Sequence, residues 1–258
     1  MEYRTIKIEH IGGLLVLTLN RPDKMNALNT AMRAEITHLL QHLPEDLRAL
    51  VITGAGDAFC SGQDLGDARN AHDIDIERVL RDEYMPMLTA LMALEIPVLA
   101  AVNGAAAGAG ANLALACDVV IAAQSAFFSQ AFSRIGLMPD LGGSWVMPRK
   151  VGMARAMGAA LFAERIPAPQ AAQWGMIYEA VGDDSFDAHW RGRAAQLAAG
   201  PSCAFRAIKQ ALRASASNDL AAQLDLEAHL QGELGKSRDF LEGISAFLDK
   251  RAPNFEGR

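Results

Sequence analysis

Polar and apolar residues alternate along 4–10, Arg-Thr-Ile-Lys-Ile-Glu-His, and 14–19 has the same extended character, with Gly12-Gly13 between them as a hairpin signal. Asn20-Arg21-Pro22-Asp23 stops the second strand. Met32, Ile36, Leu39, Leu40 and Leu43 recur at helical spacing, so a helix is predicted from a cap at Asn29 or Thr30 to about residue 43, where Pro44 ends it. A strand over 47–53, closed by Gly54-Ala55-Gly56, leads to a loop at 59–65, a polar stretch and a helix over about 76–94. The apolar run 98–102 reads as a buried strand, broken by Asn103-Gly104. A small-residue stretch, 105–111, then precedes a short helix at 112–117 and a strand at 118–123. A further short strand is predicted near 126–129. Beyond it helices dominate, near 144–163, 168–175, 185–199, 201–216, 219–234 and 237–251, with only 177–181 extended. Strands alternating with helices early, and helices alone late, predict an α/β core over 1–200 and a helical C-terminal region over 201–258. The apolar stripes of that tail must pack on the core or on another subunit.

Composition narrows the class. With 258 residues, 51% of them hydrophobic, the chain can bury a core in one domain or one domain plus a small appendage. Its net charge of −6 is unclustered and argues against nucleic acid or an anionic membrane as partner. Cys60, Cys117 and Cys203 are widely spaced and odd in number, which fits a reducing compartment better than a disulfide framework. The N-terminus has no apolar signal core, and no run reaches the roughly 18 apolar residues of a membrane span, so a cytoplasmic protein is expected.

Candidate chemistry concentrates at 98–123. Where a strand passes through Gly108 and Gly110 into a helix, unpaired N–H groups suit a phosphate, a carboxylate or the negative oxygen of a reacting carbonyl. Three other signals lead elsewhere and are weaker. His38 and His42 have the i, i+4 spacing of a metal pair, but no third ligand accompanies them, so no metal site is expected. Gly108-Ala-Gly110 lacks the third glycine of the dinucleotide fingerprint, where Leu113 stands. Ser144 does not sit in a nucleophile elbow.

Several motifs fall in the order of one known family: Asn20-Arg21-Pro22 with Asn26-Ala27-Leu28, Phe59-Cys60-Ser61-Gly62-Gln63-Asp64-Leu65, Asn103-Gly104 with Gly108, Cys117-Asp118, Gly142-Gly143-Ser144, and Phe247 with Lys250-Arg251 and Pro253. The chain thereby resembles the crotonase superfamily of enoyl-CoA hydratases and isomerases over nearly its whole length. The resemblance implies a spiral of ββα turns with a second small sheet, a C-terminal region that trimerises, a homotrimer or dimer of trimers, and an acyl-CoA thioester as substrate. Coenzyme A would enter as part of that substrate, with no separate cofactor. Residues 131–133, 137–140, Trp145 and 223–227 are most similar to the family's epoxyphenylacetyl-CoA isomerase branch.

Carried over residue by residue, the resemblance assigns the two N–H donors of an oxyanion hole to Gln63 and Ala109. Losing one such donor costs roughly 3 kcal/mol of transition-state stabilisation in known enzymes. Gly62 lets the backbone approach closely, and Ala109 lies where helix N–H groups are free. The two glutamates that family hydratases set about a water correspond here to Asn112 and Phe132, neither of which can take a proton at neutral pH. Family isomerases carry an aspartate at the position of Asp140, which makes it the candidate base, although Pro139-Asp140 ahead of a helix also reads as an N-cap. Phe132, Leu137, Met138, Leu141 and Trp145 are expected to form its apolar surroundings and raise its pKa. Asn112 either orients a substrate oxygen or satisfies the helix. Asp64 is expected to brace its loop. The family pattern further implies substrate contacts from Ala27, Leu28, Ser61, Gly62, Asp64, Leu65 and Gly108, and contacts from a neighbouring subunit through Phe247 and Lys250; Lys24 is a candidate phosphate contact on its charge alone. A non-catalytic or RNA-binding homologue is a minor alternative, against which the low pI speaks.

Overall fold

Two parallel-rich sheets share the strands of the N-terminal two-thirds of the chain in a computed structural model that describes residues 2–67 and 75–258. The larger runs β1 (Ile6–Ile11), β2 (Leu14–Leu19), β3 (Ala49–Gly54), β5 (Val98–Val102), β7 (Val119–Ala123) and β10 (Glu179–Val181). Only the β1–β2 hairpin in it is antiparallel. The smaller runs β4 (Ala58–Cys60), β6 (Ala105–Ala107), β8 (Phe127–Ser129) and β9 (Ile166–Pro167). Successive turns of chain thus give one strand to each sheet: β3 then β4, β5 then β6, β7 then β8. That is the spiral the resemblance implied. β5 is buried at all five positions, which is why it reads as an unbroken apolar run rather than an alternating one.

Helix α1 (Thr30–Gln41) starts at Asn29, whose side chain accepts from Met32 N at 2.9 Å. It buries Met32, Ile36, Leu39 and Leu40 as the spacing predicted. The helix predicted over 76–94 is α2 (Ile76–Val79), a π turn at Leu80–Tyr84 and α3 (Met85–Ala93); the polar stretch before it, 68–74, lies outside the described residues. Three strands escape the sequence pattern, β4, β6 and β9, the last lying between the helices expected at 144–163 and 168–175 where only 177–181 was expected to be extended. The loop expected at 59–65 begins inside β4, and the small-residue stretch contains β6. Helix α4 consequently starts earlier than predicted, at Ala109–Leu115. The cause is packing: a Cβ on Gly110 would lie 2.2 Å from Cys60 O, so the bare glycine lets α4 lie directly on β4.

Helix α5 (Gly143–Phe162) breaks at Gly152, whose φ of 77 is not helical. It is followed by α6 (Ala168–Gln173), α7 (Asp183–Ala199), α8 (Ser202–Ala214), α9 (Leu220–Leu234) and α10 (Arg238–Leu248). Arg48 ties the start of α8 and the C-terminal segment to the sheet by donating to Gly200 O at 2.6 Å, Ser202 Oγ at 3.1 Å and Phe255 O at 3.1 Å. Asp118, at the mouth of β7, accepts from Lys209 at 2.6 Å and Arg213 at 2.8 Å.

Candidate active site

Two backbone segments meet because β4 and β6 are neighbours in the small sheet. The loop leaving β4 is clipped to residue 28: Leu28 N donates to Gly62 O at 2.7 Å, and Asp64 N donates to Leu28 O at 3.1 Å. Gly62 adopts φ +98, and a Cβ there would sit 2.9 Å from Ala107 O and 3.3 Å from Ala109 N. That close approach is what glycine permits and a side chain would block. It sets the Gln63 amide beside the first residue of α4. Among the described residues neither the Gln63 nor the Ala109 N–H has a backbone acceptor: Gln63 is left out of the clip, and Ala109 opens its helix. Both residues line one cavity of about 510 Å³, together with Gly62, Gly108, Phe132 and Asp140.

Asp140 reaches that cavity through an unusual turn. Leu141 (φ 45) and Gly142 (φ 75) are both left-handed, and α5 begins only at Gly143, capped by no side chain. Asp140 is therefore not the N-cap that Pro-Asp suggested. Its carbonyl instead accepts from Gly143 N and Asn112 Nδ2, each at 2.8 Å. These bonds fix the backbone and leave the carboxylate to the cavity. Oδ1 is shielded from solvent and has no partner among the described residues. Burial pushes the carboxyl up to about 6.

The other expected site residues divide. Ser61, Asp64, Leu65 and Gly108 line the cavity. Asp64 braces its loop: it pairs with Arg21 at 2.7 Å and accepts Gly66 N at 2.9 Å. Burial raises its pKa, but the Arg21 bond and charge outweigh that and hold the carboxyl below the usual range. Phe132 and Leu137 form the apolar wall, whereas Met138 is 67% exposed, and Trp145 faces another hollow with Arg149 stacked 4.1 Å over its ring. Asn112 does not line the cavity. It is 1% exposed, with Nδ2 spent on Asp140 O and Oδ1 accepting Gln130 Nε2 at 2.7 Å. Of the two alternatives for Asn112, a substrate oxygen or its own helix, its amide meets neither and instead holds the Asp140 carbonyl and the Gln130 side chain.

Ala27 and Leu28 are buried and outside the cavity lining; Ala27 O accepts Arg21 at 2.6 Å, and Leu28 supports the loop. Lys24 lies near Asp64 without lining the cavity. Phe247 and Lys250 are at the end of the tail, and Phe247 lines a separate apolar hollow, so this chain does not bring them to its own site.

The sequence pattern missed a polar cluster on the cavity wall. Arg33, 2% exposed, pairs with Glu83 at 2.6 Å and donates to Gln63 Oε1 at 2.9 Å, and the hydroxyl of buried Tyr84 also donates to Gln63 Oε1. One signal was available. Arg33 stands three and seven residues before Ile36 and Leu40, a cation on the buried face of an amphipathic helix.

A profile described as enoyl-CoA hydratase/isomerase matches residues 9–258. The chain is 64% identical, over 100% of both chains, to a protein of Rhodobacter capsulatus described as a "probable enoyl-CoA hydratase". It is 46% identical to a 1,2-epoxyphenylacetyl-CoA isomerase of Escherichia coli, over 95% of this chain and 96% of that one. Among solved structures, an enoyl-CoA hydratase from a Polaromonas species superposes with a TM-score of 0.91 at 34% identity, covering 97% of this chain and 99% of that one. Another from Bacillus anthracis gives 0.91 at 29% identity, covering 99% and 100%.

Proposed function

The chain belongs to the enoyl-CoA hydratase/isomerase family, and on that premise we propose that it is an acyl-CoA isomerase in which Asp140 moves the proton while the amides of Gln63 and Ala109 hold the thioester oxygen. The observation that supports this above others is the Asp140 carboxylate, dry at Oδ1, unpartnered among the described residues, and on the same cavity wall as the two open amides. A carboxylate short of water is the stronger base toward a carbon acid. In a 3-enoyl thioester, Asp140 takes the α-proton, and the C–H electron pair passes to the carbonyl oxygen, where both N–H groups meet the charge. Asp140 then returns the proton to the γ-carbon as the dienolate collapses, leaving the double bond between the α- and β-carbons. One carboxylate suffices for both transfers.

The favoured substrate pair is 1,2-epoxyphenylacetyl-CoA and its ring-expanded oxepin-CoA isomer, a reading supported by the 46% identical isomerase and by the 131–140 stretch. It would place the enzyme in phenylacetate or fatty-acid catabolism. Epoxide opening needs no net proton transfer between carbons, so Asp140 matters there less than in the double-bond shift. A homotrimer or dimer of trimers completes the proposal, with Phe247 and Lys250 reaching a neighbour's nucleotide.

Hydration of a 2-enoyl thioester is the second reading, favoured by the name of the 64% identical relative. Against it stand Phe132, which carries no proton, and Asn112, whose amide is spent on Asp140 and Gln130. The test is a substrate panel of epoxyphenylacetyl-CoA, a 3-enoyl-CoA and a 2-enoyl-CoA, with products separated by chromatography. Isomerisation at least ~100-fold faster than hydration is expected, the size of one missing acid–base partner. Faster hydration of the 2-enoyl thioester would overturn the isomerase assignment.

A further inference from the structure

We propose that the side chain of Gln63, and not only its backbone, meets the substrate: Nε2 is an oriented hydrogen-bond donor that selects thioesters carrying an oxygen acceptor on the acyl chain beyond the thioester group. The proposal rests on reading the cavity as an acyl-thioester site.

Gln63 Oε1 accepts Arg33 Nη1 at 2.9 Å and the Tyr84 hydroxyl. Guanidinium has donors and no acceptor, so the amide atom facing it is the oxygen. The seat is rigid. Arg33 is 2% exposed and bonded to Glu83 Oε2 at 2.6 and 3.0 Å and to Leu28 O at 2.6 Å, with its guanidinium 4.8 Å from the centre of the Tyr84 ring. Tyr84 is itself 3% exposed. Turning the amide over would set NH₂ against the Arg33 N–H, donor facing donor, and leave that buried N–H unmet. With Oε1 held, Nε2 stands at the other end of the amide, on a residue that is solvent-accessible and lines the cavity. Among the described residues the hydrogen bonds of the Gln63 side chain all fall on Oε1, and Nε2 donates to none of them.

This arrangement discriminates. A hydrocarbon chain that displaces water from Nε2 leaves an N–H without a partner, whereas a ketone, ether or epoxide oxygen restores the bond. The expected preference is ~10-fold to 100-fold, the range for one donor left unmet once the bound chain has excluded water from it.

Calorimetric binding of hexanoyl-CoA, 4-oxohexanoyl-CoA and 5-oxohexanoyl-CoA to the full-length protein tests this, since none has the double bond or epoxide that turnover needs. At least one oxo thioester is expected to bind ~10-fold or more tightly than hexanoyl-CoA. The ratio should fall to about one in Gln63→Met, which has a similar length and no donor, and below one in Gln63→Glu, which offers an acceptor to an acceptor. Tyr84→Phe removes one of the two donors that hold the amide, and should lower the ratio in part while thermal melting reports fold separately. Equal binding of all three ligands by the wild type, or a ratio retained in Gln63→Met, would overturn the proposal and leave the isomerase reading standing. No binding of any of the three would overturn both.

Discussion

Asp140 carries a cost that its proposed role as the base explains. Its carboxyl titrates near 6 because burial disfavours the anion, and no partner among the described residues compensates. The folded chain therefore holds this proton more tightly than the unfolded one, whose aspartate titrates near ~3.9. The stability penalty is absent below that lower value, grows as pH rises, and is complete above about 6. Asp140→Asn should therefore melt higher than the parent at neutral pH, by the equivalent of up to about 3 kcal/mol, and the difference should vanish near pH ~4. Paired thermal melts at the two pH values check this. With a 3-enoyl-CoA, where the proton must move between carbons, the same variant should lose ~100-fold or more of turnover, while parental kcat/KM for that substrate rises with pH through about 6 as the proposed base ionises. Activity within a few-fold of the parent would remove Asp140 from the mechanism. The position of Asp140 was legible in the sequence because a family motif surrounds it. The environment of Asn112 was not: its two bonds join residues 18 and 28 positions away, and no local pattern encodes that. Arg33 was hidden likewise: it sits on the face that helical spacing gives to the core, and its bonds to Gln63 and Glu83 join residues 30 and 50 positions away.

At the scale of elements, the long strands and amphipathic helices follow from periodicity, while β4 and β6 do not. Each has three residues, too few for alternation to register, and Ala105–Ala107 has little of the β-branched character that marks strands. Yet these short strands position both amides. Gly110 tests the arrangement on the stability side. Gly110→Ala would put a methyl 2.2 Å from Cys60 O and 2.7 Å from Cys60 Cβ, so α4 must lift from β4. A loss of ~3 kcal/mol or more is expected in chemical denaturation. Gly62→Ala tests the same junction on the catalytic side. It strains φ +98 and presses on Ala107 O, displacing the neighbouring Gln63 N–H. Turnover should fall ~100-fold, as for a lost oxyanion donor, in a chain that still folds. An unchanged kcat would mean that the Gln63 amide is not aimed at the reacting oxygen.

Across the whole molecule, the tail is tied to the core on one side and bare on the other. Arg48 and Asp118 anchor α8 and the C-terminus by side-chain bonds, but α9 has no buried residue at all. Leu220 (75%), Phe247 (82%) and Leu248 (71%) stand exposed, and a hollow of about 480 Å³ lined by Cys203, Phe240, Phe247 and Phe255 opens between the tail helices. So much apolar surface on contiguous helices is unfavourable for a chain alone in water. The sequence indicated this much, because stripes without a sheet of their own demand a partner, but it could not say which surface answers them. The proposed trimer supplies one and gives Phe247 a second task at a neighbour's nucleotide. Phe247→Asp separates the consequences: it places a charge where an aromatic anchor would be desolvated, which typically costs an interface ~2 kcal/mol or more. Analytical ultracentrifugation should then show a lighter species than the parent, and KM for an acyl-CoA should rise ~10-fold with a smaller change in kcat, because the proposed reacting groups Asp140, Gln63 and Ala109 line one cavity of a single chain. A lighter species with parental KM would keep the assembly and discard the shared nucleotide site. An unaltered mass and KM would discard both.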